Sequence, residues 1–94
     1  MNYELLVKNL LDRSLATVQN DPEQFEHWHL QQLPEWIGAI LPTIDPDGCL
    51  AFFRDHKEYS FVYYDAFGKM CGKPREVASY LLMELIKELV EEKL

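Results

Sequence analysis

The residues best suited to chemistry are few and badly spaced for it. Glu26-His27-Trp28-His29 puts two imidazoles two positions apart. On a helix such residues point about 200° away from each other, so His27 and His29 cannot share one ion. The four-residue step of zinc-binding helices is absent, and His56 stands alone in the second half of the chain. Asp45-Pro46-Asp47-Gly48 opens like a calcium loop but lacks a third carboxylate. Phe53 and Arg54 stand where the distal bidentate glutamate is needed. Asp65-Ala66-Phe67-Gly68-Lys69 has a glycine and a lysine without phosphate-loop spacing. Gly72-Lys73-Pro74-Arg75 sets two cations at a helix start, where an anion could bind, although solvated charge beside a turn is the plainer reading.

Nucleophilic catalysis would have to draw on Cys49 or Cys71 with His27, His29 or His56, and on a carboxylate such as Asp55 to orient the imidazole. No signature places these together, and Ser14, Ser60 and Ser79 lack a Gly-x-Ser-x-Gly context. A small enzyme of this kind would need to build its His/Cys site at a subunit interface. No catalytic residue, metal ligand or cofactor follows from the sequence.

Charge is more informative than any motif. Between Arg13 and Arg54 there is no Lys or Arg, while Asp21, Glu23, Glu26, Glu35, Asp45 and Asp47 all lie there. That stretch therefore accounts for six of the seven net negative charges. It also holds Phe25, Trp28 and Trp36. Carboxylates steer a basic partner toward the surface, and aromatics, where exposed, anchor it. The competing reading makes the tryptophans core residues and the carboxylates a solubility device.

The elements that must position these groups follow from periodicity and punctuation. Leu6, Val7, Leu10, Leu11, Leu15 and Val18 recur at helical steps over 3–19. Asp21-Pro22-Glu23-Gln24 is a helix start with Gln24 placed to reach back, predicting a helix over 22–32. Leu33-Pro34 then interrupts it and opens a short helix over 34–41. Cys49–Arg54 and Tyr59–Asp65 are rich in strand-favouring aromatics. With Asp55-His56-Lys57-Glu58 as a polar loop, they read as a β-hairpin, and Lys69–Cys71 as a third strand. Val77, Leu81, Leu82, Leu85, Ile86, Leu89 and Val90 stripe a last helix over 74–93.

The 94 residues, 48% hydrophobic and 27% charged, make one folded domain spanning 1–94. The expected class is α+β: an antiparallel sheet of two or three strands covered by the N- and C-terminal helices, in the order α-α-α-β-β-(β)-α. Net charge −7 argues against direct nucleic-acid binding and against an anionic membrane surface. Charges at Glu84, Lys87 and Glu88 break the longest apolar run, and the start of the chain lacks a secretory pattern. With two cysteines and no Cys-x-x-Cys, the expected compartment is the cytoplasm.

The function expected from this pattern is a non-enzymatic, acidic protein-interaction module that occupies a basic site on a protein partner. In size and acidity it is similar in type to immunity proteins, antitoxins and phage inhibitors that mimic nucleic acid, without a shared motif. The binding face would be Asp21, Glu23, Glu26, Glu35, Asp45 and Asp47, with Phe25, Trp28 and Trp36 as anchors. The rival is a structural or regulatory subunit that docks through its apolar C-terminal helix. Tyr80, Met83 and Leu94 on that helix, or the open sheet edges, would support a homodimer.

Overall fold

A computed structural model describes residues 1–18, 21–66 and 72–94. Its first helix, α1 (Tyr3–Val18), starts where Asn2 can cap it. The Asn2 Oδ1 accepts from the Leu5 N–H at 3.1 Å and its carbonyl from the Leu6 N–H at 3.1 Å. Buried Val7, Leu10, Ser14 and Val18 recur at three- and four-residue steps. Asp21 starts the next helix as its chemistry suggests, its Oδ1 accepting from the Glu23 N–H at 3.0 Å. Short turn bonds from Gln24 and Phe25 to the carbonyls of Asp21 and Pro22 lead into α2 (Gln24–His27).

The chain then widens into a π-helical turn, Trp28–Gln32, closed by the Leu33 N–H on the Trp28 carbonyl five residues back. Pro34 follows. It has no N–H to offer, and its ring would strike the carbonyl four residues before it in a regular helix. The wide turn relieves that conflict and also corrects the register. Trp28 and Leu33, at the two ends of the wide turn, are both fully buried. The helix continues as α3 (Leu33–Ile40) and a 3-10 turn, Leu41–Thr43. Then come α4 (Pro46–Asp55), α5 (Ser60–Ala66) and α6 (Pro74–Lys93).

The long α6 is the spine, with α1, α3, α4 and α5 all packed on it. Ala78, Leu81, Leu82, Leu85, Ile86 and Val90 present one unbroken stripe, each at most 1% exposed. Trp28, Ile37, Cys49, Phe53 and Val62 complete the same core from four other segments. Among the described residues no helix is long and apolar enough to cross a membrane.

The expected α+β class is wrong. The structure is 84% helical and, among the described residues, has no strand and no sheet. Both expected hairpin strands are helices, α4 and α5, joined by residues 56–59, and Asp55 of the expected loop ends α4. The physical reason lies in which residues are buried. Cys49 and Phe53 are fully buried while Ala51 between them is only half-buried, whereas a strand would put all three on one face. A two-stranded hairpin is marginal in water, and packing against α6 outweighs the strand preference of the aromatics. The expected third strand, 69–71, lies outside the described residues. The expected break at Leu33 is also absent: its φ of −60° and ψ of −46° are helical, because the π-turn absorbs the proline.

Candidate functional site

Segment 21–47 folds as one helical rod followed by the start of α4, and all six of its carboxylate residues are exposed. Asp21 spends one oxygen on the Glu23 amide. Asp45 sets its backbone in an extended conformation just before α4, with Pro46 first in the helix. Its carbonyl accepts from the Tyr3 hydroxyl at 3.0 Å and the Cys49 N–H at 2.9 Å. Among the described residues Arg54 forms an ion pair with Asp55 and His56 meets Glu4 at hydrogen-bond distance, and neither contact involves any of the six carboxylates of the candidate face.

The three aromatic residues divide. Trp28 is fully buried and unavailable as an anchor in this conformation. Its Nε1–H donates to the Ser14 Oγ at 3.0 Å, and that hydroxyl donates to the Leu10 carbonyl at 2.7 Å. Ser14, polar and buried in the α1 stripe, is thereby satisfied. Trp36 is half-buried beneath the Arg13 guanidinium, 3.9 Å above its ring. Phe25 is half-buried against Trp28, with ring centroids 5.3 Å apart, and lies nearly parallel to His29.

The other chemistry-bearing residues are dispersed. His27 is exposed, His29 is half-buried near Phe25, and His56 lies at the end of α4. No group of three or more His, Cys, Asp or Glu among the described residues could hold a metal. Cys49 is buried, and burial, with the Asp45 charge adding to it, pushes its thiol up to about 11. Cys71 lies outside the described residues. At the start of α6, Arg75 donates to the Leu41 carbonyl. The supposed anion corner thus has one cation engaged in closing the 3-10 turn. Of the proposed dimer surface, Tyr80 and Leu94 are exposed and Met83 is half-buried, and no sheet edge exists among the described residues.

The structure assembles one site that the sequence did not suggest. The start of α1 and the last turns of α4 border a shallow, open cleft of about 530 Å³, lined among others by Tyr3, Glu4, Phe52, Asp55 and His56. The His56 Nε2 and Glu4 Oε1 are 2.8 Å apart across 52 residues of sequence. The His56 ring stacks on Tyr59, with centroids 4.3 Å apart and planes 8° from parallel, and leans on Phe52. Its Nδ1 is buried without a partner. Burial raises the Tyr3 phenol above its ordinary value, as do the nearby Cys49 and Asp45. Hydrogen bonds from Arg54 hold the Asp55 carboxyl below its ordinary range. No local motif marks this cleft, because its two sides come from the start of α1 and the end of α4, and the Glu4–His56 pair that joins them spans 52 residues.

Comparison with protein-family models, with curated proteins and with solved structures finds no match.

Proposed function

We propose that this chain is a non-enzymatic binding module of the cytoplasm that docks on a basic protein partner through residues 21–47. Its role would be that of an inhibitor, immunity-type or antitoxin-like regulator. One observation carries the reading: Asp21, Glu23, Glu26, Glu35, Asp45 and Asp47 are all exposed and none meets a cation among the described residues. Six like charges on one segment repel each other, and a cationic partner relieves that repulsion while raising the rate of encounter. Phe25 and Trp36, each half-buried, offer partly exposed aromatic surface beside those charges.

The rival subunit reading draws less support. The main α6 stripe is already buried against the chain's own helices, which leaves that reading exposed Tyr80 and Leu94 and half-buried Met83. The test is capture of partners by wild type, by a variant with Glu23, Glu26 and Glu35 changed to Gln, and by Met83→Ser with Leu94→Ser. The triple variant should lose its partners, and raised salt should release them from wild type. Retention of every partner by the triple variant, with loss in the helix variant, would overturn the proposal in favour of the subunit.

A further inference from the structure

The cleft between α1 and α4 has no part in that docking face, and we propose that it is the seat of a single arginine side chain. Its source would be the basic partner, and only this attribution rests on the reading above. The seat itself stands on the cleft. Tyr3 and Phe52 line it and pack on each other, with ring centroids 5.7 Å apart and planes inclined by 32°, so they offer one aromatic surface. A planar, weakly hydrated guanidinium settles on such faces better than a compact ammonium does. This chain already seats one that way, Arg13 on Trp36.

Acceptors at the cleft are placed in advance. Glu4 is two-thirds exposed, yet His56 holds its Oε1 at 2.8 Å, and His56 is itself clamped between Tyr59 and Phe52. A carboxylate fixed before the ligand arrives loses less freedom on binding. Asp55 adds little, because Arg54 takes both its oxygens, at 2.8 and 3.0 Å. The positive end of the α1 dipole opposes a cation here, but Asn2 and Glu4 answer it from the first turn.

The test is an amide-resolved NMR titration of the full chain with Nα-acetyl-arginine amide and with its uncharged isostere, Nα-acetyl-citrulline amide. The arginine probe should give saturable shifts centred on Tyr3, Glu4, Phe52 and His56, and the citrulline probe none. Glu4→Gln should weaken the arginine probe about tenfold, as expected for loss of one charged hydrogen-bond partner. Ala51→Met narrows the cleft without changing charge and should abolish binding, its own spectrum reporting whether it is folded. Equal response to citrulline, shifts confined to residues 21–47, or wild-type binding by a folded Ala51→Met would overturn the proposal. The triple Gln variant separates the two ideas: it should lose the partner and keep the arginine probe. A wild type that binds its partner in a salt-sensitive way but leaves the cleft unshifted sinks the seat and spares the docking face.

Discussion

Residues 21–47 carry three aromatics and residues 49–66 carry six, and the two segments surround them differently. In the first segment each aromatic meets a polar or charged group, although Phe25 also packs on Trp28. Trp28 is buried but spends its N–H on Ser14, Trp36 lies under Arg13, and Phe25 lies alongside His29. In the second the aromatics meet each other. Phe52 touches Tyr3, Phe53, His56 and Tyr59, and Tyr63 stands edge-on to Tyr64. The first segment has lone polar contacts that hold single side chains in place. The second has a cluster centred on Phe52, in which Phe52–His56 and His56–Tyr59 lie four and three residues apart and Tyr3 joins from α1. Aromatic content alone therefore says little about backbone state: what it packs against decides.

The largest effect should come from Trp28. Trp28→Ala removes a fully buried indole and leaves the Ser14 hydroxyl without its donor, which should cost about 3–5 kcal/mol in urea unfolding. A loss under about 1 kcal/mol would mean that Trp28 is no core residue, and the contrast between the segments would fall.

Alkaline pH should act on the second segment. The Cys49 thiol is raised to about 11 in the fold, from an ordinary value of 9.0. Above pH 9 the unfolded chain gives up a proton that the folded chain keeps. The stabilisation is therefore complete below pH 9 and fades as pH rises toward 11, by about 2–3 kcal/mol. Tyr3 and Tyr59, also raised by burial, push in the same direction. Cys49→Ala should flatten part of this slope, and the native thiol should resist alkylation at pH 8. A wild-type slope identical to that of Cys49→Ala would show that the thiol is not desolvated.

The smallest effect lies at the surface of the first segment. Arg13→Ala should cost about 0.5–1 kcal/mol and shift Trp36 fluorescence toward that of a wetter ring. An unchanged spectrum would make the Arg13–Trp36 contact incidental.

Much of the helical architecture was readable in the chain, and for local reasons. Asp21 and Pro74 stand at helix starts, and of the stripe read from Val77 to Val90, Leu81, Leu82, Leu85, Ile86 and Val90 are buried while Val77 and Leu89 are half-buried. Exposure of the six carboxylates also follows from residue type, since an unpaired charge is costly to bury. The wrong assignments share one cause. Phe52, Phe61, Tyr63 and Tyr64 favour strands when weighed by type, yet residues 49–66 fold as two helices on α6. Strand preference reflects how a side chain suits a half-buried pleated surface, and α6 presents a helical groove in its place. Pro34 misled likewise: proline excludes one regular helical turn but not a π-turn that carries the chain past it. The cleft was beyond any local reading, because Glu4 meets His56, and Tyr3 meets Asp45, only when α1 and α4 are brought together. Caps, stripes and charge act over a few residues and are written in order along the chain. Backbone state in an aromatic-rich segment, and the meeting of distant polar groups, depend on which surface each element finds to bury itself against, and that is decided when the whole core forms.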